Sequence, residues 1–483
     1  MLNDAVIEAV EQIVGADSVI THPSELMVYD SDGMTFHKRS PDLVVFVQTT
    51  EQVAALVRLA NQHRIPYLGR GAGTGLSGGS LPLRGGMVLE FSRMNRLIEV
   101  DPLHRIAVVE PGLVNLELSK KVAHLGLHFA PDPSSQMACT IGGNISENAG
   151  GPHCLKYGVT SNHVLALEVV LCDGSIATLG DPYGAPCGYD VVGLFVGSEG
   201  TLGMVTKAWL RLTPLPEAVK TMLVPFEKLT DATDAVSEII ANGILPAALE
   251  IMDQLTIRAV EASMYAAGYP TDAAAVLLVE LDGLPVEVET QATRVVEIVG
   301  RFGGREVRVA RDEKERKKLW AGRKGSFGAL GRISTNIYLQ DTVVPRTKLS
   351  FVIGRIYEIA QRHNLIITSV FHAGDGNLHP LMVYDSKDPE EIRRVLQASD
   401  EIVRLCLDAG GTLSGEHGIG LEKRDFMCLL FTEQDLAVMK NIKLAFDQQG
   451  LCNPGKLLPS TKGCSEFKQG LPPEAFLEGI LDD

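Results

Sequence analysis

The sequence predicts an α+β protein, on three observations. Strand-like apolar runs alternate with segments of helical periodicity over most of the 483 residues. Two long glycine-rich stretches interrupt the first half of the chain. A proline-containing boundary at 213–217 is followed by a change of pattern, to longer strand and helix runs typical of a sheet covered by helices. The length suits about three units of ~150 residues and a sizeable core.

The first half opens with a helix and a β–α–β unit. Apolar residues at helical spacing predict a helix over 5–14, and the run 42–48 predicts a strand. A helix follows, for which Thr50 is the expected N-cap, and the chain then returns as a strand at 67–70. This order predicts a right-handed crossover to a parallel neighbour.

The alternation continues along the chain. We expect further strands over 87–91, 98–112 (two strands with a turn at Asp101-Pro102), 164–174, 201–212, 273–283 and 305–310. We expect further helices near 114–125, 231–243, 286–303 and 312–322. The tail after residue 460 is acidic and poorly patterned.

Charge and cysteine spacing exclude several classes of function. The formal net charge is −16, which argues against a nucleic-acid or anionic-membrane surface because both need clustered cations. The eight cysteines lie at least twelve positions apart, which excludes a CxxC redox pair, a zinc ribbon and iron–sulfur ligation within this chain. We expect scattered thiols in a reducing compartment. No secretory signal or membrane-spanning run is expected.

The first glycine-rich loop matches a dinucleotide motif but lacks its context. Residues 73–78 fit G-x-G-x-x-G, yet the continuation 79–86 is rich in glycine and contains a proline, so no helix is expected to begin there. A Rossmann site is therefore not predicted. A long loop of small residues, rich in backbone N–H donors, can instead wrap a pyrophosphate, with hydroxyls at Thr74, Ser77 and Ser80 nearby. The alternative is a flexible surface loop, and a second small-residue stretch at 140–151 favours the anion site.

Two compact motifs later in the chain are typical of a metal site. His372 and His379 are separated by glycines and an aspartate, so the chain must turn between them, and a turn can bring both imidazoles to one point. Glu416 and His417 are flanked by glycines. Two histidines and one carboxylate leave open coordination positions, as in a catalytic site, and Zn, Mn and Fe all accept this set. The alternative is that these histidines only satisfy loop hydrogen bonds.

Arg323 follows Trp320 at the end of a predicted helix. Its planar guanidinium would suit a substrate carboxylate if it were buried. A solvated helix end is the alternative.

Together these residues resemble a known family, the flavin subunit of bacterial glycolate oxidase (glycolate dehydrogenase) and, more widely, the FAD-linked D-lactate and D-2-hydroxyglutarate dehydrogenases. The resemblance runs from about residue 20 to residue 460. It is carried by the motifs RGAGTGLSGG (70–79), PDPSSQMACTIGGN (131–144), NAGG (148–151), GSEGTLG (197–203), WAGRK (320–324), HAGDGNLHP (372–380), SGEHGIG (414–420) and NPGK (453–456).

The resemblance implies a fold of the vanillyl-alcohol-oxidase or p-cresol methylhydroxylase (PCMH) type. It implies an FAD-binding domain over 1–214, the N-terminal helix included, and a substrate domain with an antiparallel sheet, flanking helices and the metal site over 215–450. A C-terminal segment, 451–483, returns to the FAD domain and ends in the acidic tail.

The resemblance also implies which residues bind the cofactor. The FAD contacts carry over to Arg70, Gly71, Ala72, Gly73, Thr74, Gly75, Leu76, Ser77, Gly78, Pro131, Asp132, Ser135, Cys139, Thr140, Gly142, Gly143, Asn144, Asn148, Ala149, Gly150, Gly151, Glu199, Gly200, Gly203, Val205 and Asn453. Relatives that attach FAD covalently through the first loop use a histidine there. This loop has none, so noncovalent FAD is expected.

For the chemistry, the resemblance implies His372, His379 and Glu416 as ligands of a divalent metal. His417 becomes the base and Arg323 the substrate-carboxylate partner. The reaction implied is oxidation of a small 2-hydroxy acid, glycolate or D-lactate, to glyoxylate or pyruvate. Where some relatives have a lysine, residues 339–341 read Leu-Gln-Asp, which puts a second carboxylate contact for 2-hydroxyglutarate in doubt.

The resemblance also implies how electrons leave. We expect a companion iron–sulfur subunit or a quinone-linked acceptor rather than oxygen, and a location in the cytoplasm or peripheral at the inner membrane through partners. The sequence is compatible with a homodimer but does not set the oligomeric state. Three alternatives stay open: a metallohydrolase that uses the His/His/Glu set without flavin, a D-2-hydroxyglutarate-type dehydrogenase, and a non-catalytic subunit of a larger complex.

Overall fold

The computed structural model describes residues 2–34, 36–183, 188–334, 336–459 and 464. The chain divides into two compact units. The first comprises the chain up to Gly150, Gly158–Leu215 and the segment that begins at Glu416. The second comprises Gly151–Tyr157 and Pro216–Gly415.

The strands of the first unit form two main sheets and a short pair. Their bounds are β1 Val19–Ile20, β2 Leu43–Phe46, β3 Tyr67–Arg70, β4 Met87–Glu90, β5 Leu97–Asp101, β6 Ile106–Val109, β7 Leu127–His128, β8 Val164–Leu171, β9 Ile176–Gly180, β10 Gly203–Arg211 and β11 Thr213–Pro214. The orders are β1-β2-β4-β3 and β5-β6-β10-β8-β9, and β11 pairs with β7.

The helices of the chain follow in order. Their bounds are α1 Asp4–Val14, α2 Pro23–Leu26, α3 Thr50–His63, α4 Asn115–Val122, α5 Ile141–Glu147, α6 Cys154–Tyr157, α7 Val191–Phe195, α8 Leu229–Ala241, α9 Gln254–Glu261, α10 Pro285–Arg301, α11 Glu313–Lys324, α12 Ser326–Leu330, α13 Leu349–Arg362, α14 Pro389–Asp408, α15 Met427–Leu430 and α16 Glu433–Phe446. Of these, α6 and α8–α14 belong to the second unit.

The first sheet contains the predicted β–α–β unit with one difference. β2 and β3 both pair in parallel with β4, so β4 lies between them and the two predicted strands are not direct neighbours. All four residues of β4 are buried, as expected for a central parallel strand. The predicted N-cap of α3 is wrong by one residue. Thr49, not Thr50, accepts the hydrogen bond from the Gln52 amide, because its backbone is extended.

The second sheet is antiparallel throughout. β10 pairs with β6 and β8, β5 pairs with β6, and β9 pairs with β8. Its inner face packs on α4, α5 and α7 through a common apolar cluster that includes Leu118, Ile145, Leu167, Phe195 and Leu210. Burial of such side chains contributes about 1.5–3 kcal/mol each, so this cluster anchors the loops that join the strands.

The C-terminal segment belongs to the first unit from Glu416 onward, whereas the sequence-based division has the chain return at residue 451. The reason is a set of hydrogen bonds from backbone amides of this segment to the Glu199 carboxylate and the Ser77 carbonyl. Glu199 accepts hydrogen bonds from the amides of Ile419 and Gly420, each at 2.7 Å, and the Ser77 carbonyl accepts from Leu421 at 2.8 Å.

One expectation about cysteine is wrong. Cys428 and Cys464 form a disulfide whose Cα atoms lie 5.5 Å apart, across 36 positions of sequence. Spacing rules detect only short motifs, whereas this pairing depends on the fold. Among the described residues, five other cysteines form no disulfide, namely Cys139, Cys154, Cys172, Cys406 and Cys452. Cys187, like the acidic tail, lies outside the described residues.

The second unit is built on one antiparallel sheet system. Its strands are β12 Ala218–Phe226, β13 Ala248–Asp253, β14 Ala275–Gly283, β15 Arg308–Val309, β16 Asn336–Leu339, β17 Thr342–Val343, β18 Ile366–His372, β19 Asn377–Leu378 and β20 Pro380–Tyr384. The order is β15-β12-β14-β13-β18-β19-β17, and β20 pairs with both β16 and β18.

The middle of this sheet is almost wholly buried. Every residue of β13 and all but the first of β18 are buried, which fits strands covered on both faces by helices. Helices α9, α11 and α12 contribute Val260, Leu319 and Leu330 to the apolar cluster against it. Among the helices that the structure describes, none is long and apolar enough to cross a bilayer.

Candidate active site

The first glycine-rich loop, residues 71–80, connects β3 to β4 without a helix, as the sequence predicts. In the described part of the chain, the backbone amides of residues 71–79 donate to no protein acceptor. Ser77, Gly78 and Gly79 are nevertheless buried. Buried N–H groups are almost always paired, so a run of free ones fits a loop that wraps an anion.

Side chains at the base of the loop fix its path. Arg70 is 8% exposed, donates to the Ser31 carbonyl at 2.8 Å and lies near the Ser80 hydroxyl at 3.5 Å. The Gly33 amide donates to the Gly75 carbonyl at 2.8 Å. Burial lowers the pKa of Arg70, although the neighbouring Asp32 carboxylate raises it. The loop is therefore held by its flanks, which leaves its own amides for a ligand.

The second small-residue stretch contains a helix that the sequence does not predict. Thr140 caps α5 by accepting from the Gly143 amide, and Ile141 and Ile145 are fully buried. Gly142 packs against Pro111, where an added Cβ would lie 2.7 Å from the proline Cβ. Tertiary packing thus overrides the weak helix propensity of two consecutive glycines.

The two stretches meet. A Cβ added to Gly71 would overlap the Thr140 hydroxyl, and a Cβ added to Gly79 would lie 2.5 Å from Glu147 Oε1. At Gly71 the short Thr140 side chain has little room to move, so the approach there favours glycine, whereas the Glu147 side chain near Gly79 is longer and flexible. Thr74, Gly75 and Leu76 lie between these two contacts.

The rest of the 131–151 stretch is held by its own turns. The Asn115 side chain donates to the Pro131 carbonyl at 3.0 Å, and the Ser135 carbonyl accepts from the Cys139 amide at 2.9 Å. Burial raises the pKa of the Cys139 thiol to about 11, so it remains a thiol at neutral pH.

The residues that follow α5 are also held by hydrogen bonds. Asn148 caps the C-terminus of α5 with φ 54°, and its Oδ1 accepts from the Ser161 amide at 2.8 Å. The Ala149 carbonyl accepts from Thr160. Gly150 ends the first unit here, and Gly151 already belongs to the second.

Glu199 and Asn453 join three segments of the first unit. The Asn453 side chain donates to the carbonyls of Gly79, at 3.0 Å, and Glu199, at 2.7 Å. Both residues have positive φ, 53° for Glu199 and 42° for Asn453. Gly200 follows Glu199 in the same left-handed region, and Gly203 and Val205 lie in β10. The structure therefore gathers the first loop, α5, the 199–200 turn and Asn453.

A buried charge cluster lies within this assembly. Burial, and then the charge of Glu199, raise the pKa of Glu147 well above its ordinary value, and burial also raises the pKa of Glu199. Burial lowers the pKa of Lys456 to about 8, and its ammonium group donates to the Leu81 carbonyl at 2.6 Å. A Cβ on Gly418, next to His417, would lie 3.0 Å from Glu199 Oε1 and would overlap Glu147.

The second unit brings the two predicted metal-site histidines together. His372 ends β18, the chain turns through 373–376, and His379 lies between β19 and β20. The two rings are 5.1 Å apart, and each offers a nitrogen within 4.8 Å of the other. His372 is 4% exposed and His379 6%. The turn that glycine and aspartate predict is therefore present.

Arg323 is buried beside His372, not solvated at a helix end. It lies on α11, is 4% exposed, and its Nη2 is 3.5 Å from His372 Nδ1. The same Nη2 pairs with Glu250 at 2.5 Å. Of the two sequence alternatives for Arg323, the structure thus supports the buried one.

Two buried carboxylates were not predicted from the sequence. Glu250 on β13 is wholly buried and lies 2.8 and 2.9 Å from His372 Nδ1 through its two oxygens. Asp341 is also wholly buried, and its Oδ1 is 3.9 Å from His379 Nδ1. An acid inside an otherwise apolar buried strand, as in ALEIMD, is the signal that could have found Glu250.

Asp341 also holds the residues that precede Glu416. Its Oδ2 accepts from the Ser414 hydroxyl at 2.6 Å and from the Gly415 amide at 3.0 Å. Gly415 ends the second unit, and Glu416 and His417 begin the last segment of the first. Within that segment, His417 Nε2 is 3.9 Å from Glu416 Oε1.

Two family models match the chain. Residues 41–180 match the FAD binding domain, and residues 215–457 match the FAD linked oxidases, C-terminal domain. The glycine-rich loops lie in the first match, and Arg323, His372, His379 and Glu416 lie in the second. These matches support a flavoprotein and not a flavin-free metallohydrolase.

Relatives match over nearly the whole chain. The glycolate oxidase subunit GlcD of Escherichia coli (strain K12) is 44% identical over 464 residues, which cover 96% of this chain and 93% of the relative. GlcD of Bacillus subtilis (strain 168) is 39% identical, with 95% and 97% covered. A D-lactate dehydrogenase of Archaeoglobus fulgidus is 35% identical, with 90% and 96% covered.

Solved structures share the fold. p-Cresol methylhydroxylase with substrate bound superimposes with a TM-score of 0.81 at 19% identity, covering 94% of this chain and 96% of that one. 4-Ethylphenol oxidase from Gulosibacter chungangensis gives 0.79, with the same identity and coverage. The predicted fold class, a PCMH-type FAD-binding domain followed by an antiparallel-sheet domain with flanking helices, is confirmed. The chain belongs to the FAD-linked oxidases, in the group that includes glycolate oxidase subunits GlcD and D-lactate dehydrogenases, and is an FAD-linked oxidoreductase.

Proposed function

We propose that this protein oxidises a small 2-hydroxy acid, glycolate or D-lactate, to the 2-oxo acid, using FAD and a divalent metal. The observation that carries the proposal is the buried Arg323 guanidinium 3.5 Å from His372, which places a carboxylate-binding cation beside a metal-binding imidazole. The names of the GlcD and D-lactate dehydrogenase relatives support the same substrate class.

FAD is held noncovalently by the first unit. The free amides of 71–79, the close approach of Gly71 to Thr140 and the positive-φ turn at Glu199 fit a nucleotide with a pyrophosphate. The remaining contacts are those that the family resemblance implies. The loop contains no histidine or cysteine that could form a covalent link.

The metal is held by His372, His379 and Glu416. The two buried imidazoles fit a divalent cation because each directs Nδ1 toward an oxygen, Glu250 for His372 and the Gln340 carbonyl at 3.4 Å for His379. A ring whose Nδ1–H is donated keeps its lone pair on Nε2, which is the ligand atom. Asp341 fixes Ser414 and Gly415, and so the start of the segment that carries Glu416. Zn, Mn and Fe all suit this donor set.

The chain's own residues bind and orient the acid and move its proton. Arg323 holds the carboxylate, and burial excludes water from this pair. His417 accepts the hydroxyl proton as general base. When bound, the metal would supply the positive charge that lowers the pKa of that hydroxyl, and FAD would supply a two-electron acceptor for the α-hydrogen.

The substrate is small. The run 336–345, which spans β16 and β17, contains no lysine or arginine, and Gln340 and Asp341 are buried there. A second carboxylate, as in 2-hydroxyglutarate, would find no cation in this run. Glycolate and D-lactate each carry a single carboxylate, and Arg323 binds it.

Electrons pass to a partner and not to oxygen. The cysteines of this chain provide no iron–sulfur cluster, and relatives are named as subunits, so a companion iron–sulfur subunit or a quinone-linked acceptor completes the enzyme. The reduced protein should therefore transfer electrons to an artificial dye much faster than to oxygen. Stoichiometric peroxide formed rapidly under air would count against this.

Replacing His417 by alanine tests the proposed chemistry. The His417→Ala protein should keep its bound FAD but should not be reduced by glycolate or D-lactate when the two are mixed anaerobically. His124→Ala is the matched control, because His124 is an exposed histidine of the same unit. Rapid flavin bleaching in His417→Ala would overturn the assignment.

A further inference from the structure

Glu250 connects the two halves of the proposed site. We infer that Glu250 is a positioning residue that holds His372 in the tautomer that binds the metal and holds Arg323 in the orientation that binds the substrate carboxylate. The inference rests on the proposed function and adds a residue that neither the motifs nor the family resemblance marks. It follows from contacts within the second unit alone.

Burial of the Glu250 carboxylate costs free energy unless the carboxylate has partners. Glu250 is wholly buried in β13, a strand whose six residues are all buried. A lone carboxylate there would lose its hydration, so it must be paired and hydrogen-bonded. Both needs are met by the same two groups, the His372 ring and the Arg323 guanidinium.

The contact with His372 sets the ring. Glu250 and His372 are register partners on adjacent antiparallel strands, and both carboxylate oxygens lie within 2.9 Å of Nδ1. A carboxylate there keeps the proton on Nδ1, so that Nε2 carries the lone pair that a metal needs.

The contact with Arg323 sets the guanidinium. Its Nη2 is engaged by Glu250, whereas its Nε is buried and donates to no acceptor in the described ranges. An unpaired buried donor on a fixed guanidinium fits a site completed by an anionic ligand. A 2-hydroxy acid carries its hydroxyl and its carboxylate on adjacent carbons. One residue that fixes both binding groups therefore fixes the spacing that such an acid needs.

Cobalt(II) binding tests the inference without relying on activity. Metal-depleted, FAD-loaded protein is titrated with Co²⁺ and followed by its visible absorption, and KM and kcat for glycolate and D-lactate are measured with a dye acceptor. Glu250→Gln keeps the side-chain shape but loses the charge. Loss of a residue that orients a metal ligand weakens metal affinity by about 10–100-fold. We expect that loss, together with a rise in KM that exceeds the fall in kcat.

Glu280→Gln is the matched control. Glu280 is 2% exposed on β14 and is bonded to Arg316, Trp320 and His153, which resembles the bonding of Glu250 without contact to His372. Burial alone would raise the pKa of Glu280, but bonds from His153 and Arg316 hold it below its ordinary value. Glu280→Gln should lower thermal stability and leave cobalt affinity unchanged.

The outcomes separate the inference from the proposed function. If wild-type protein binds cobalt, and Glu250→Gln binds it equally well with an unchanged KM, the positioning role is overturned and the metal site stands. If wild-type protein binds no more cobalt than His379→Ala, the metal site and the inference both fall. Should Glu250→Gln not fold, Glu250→Asp keeps the charge but not the reach. It should show the same loss of cobalt affinity, and wild-type affinity in that variant would overturn the inference.

Discussion

Gly71 lies so close to Thr140 that a Cβ on the glycine would overlap the threonine hydroxyl. This contact joins the first glycine-rich loop to the N-terminus of α5 within the FAD-binding unit. A side chain at residue 71 would force either the loop or Thr140 to move.

Gly71→Ala should therefore weaken FAD retention. The added methyl must displace either the loop or the Thr140 cap, whose loss alone costs about 1 kcal/mol. The ratio of flavin to protein after gel filtration measures the effect, and we expect a severalfold lower ratio. Gly354→Ala is the control, because a Cβ on Gly354 meets no atom within 4 Å. Equal flavin content in both variants would show that the contact does not support the cofactor.

The FAD should be released by acid denaturation. The loop 70–79 contains no histidine or cysteine, so no side chain there can hold the flavin covalently. After precipitation in trichloroacetic acid, all of the yellow colour is expected in the supernatant. Flavin fluorescence that stays with the protein band on a denaturing gel would contradict this.

Glu147→Gln should raise stability, and the gain should grow with pH. Burial and the nearby Glu199 raise the pKa of Glu147 above its ordinary 4.5. The contribution of Glu147 to the free energy of unfolding is therefore largest below pH 4.5, and it is lost as the pH rises through the folded-state pKa. A glutamine removes this loss. We expect the difference in Tm between the variant and wild-type holoprotein to widen from pH 5 toward pH 8, as measured by thermal unfolding. A difference that is constant with pH would show that Glu147 ionises normally.

The Cys428–Cys464 disulfide is expected in protein purified without reductant. Thiol titration in denaturant should count two more thiols after reduction than before it. Cys428→Ser should abolish the difference, and Cys172→Ser, which replaces a buried free thiol, should preserve it. The expectation fails if reduction adds no thiols to the wild-type count.

The elements that the sequence predicts have local signals, whereas α13, α14 and strands β16–β20 are not among them. The run 42–48 and the strand after it were found from apolar pattern, and the turn between His372 and His379 from its glycines and aspartate. α5 was missed because Gly142 and Gly143 are poor helix formers, and only the packing of Ile141 and Ile145 stabilises the helix.

Glu250 and Asp341, the carboxylates that lie next to the two histidines, could not be predicted from local sequence pattern. Glu250 and His372 lie 122 positions apart, and their contact depends on the pairing of β13 with β18. Asp341 accepts a hydrogen bond from the Ser414 hydroxyl, 73 positions later in the chain. Local pattern identifies the imidazoles of the proposed metal site, whereas the carboxylates that contact them are set by long-range register.

Anaerobic titration of the purified protein with 2-hydroxy acids shows whether the protein binds flavin and which of these acids it oxidises. We expect a yellow protein whose flavin absorption is bleached by glycolate or D-lactate, with bleaching slowed by a chelator and restored by added divalent metal. 2-Hydroxyglutarate should reduce the flavin poorly, because the run 336–345 contains no lysine or arginine that could bind a second carboxylate. A colourless protein that binds no FAD, or a flavin that none of these acids reduces, would overturn the proposed function.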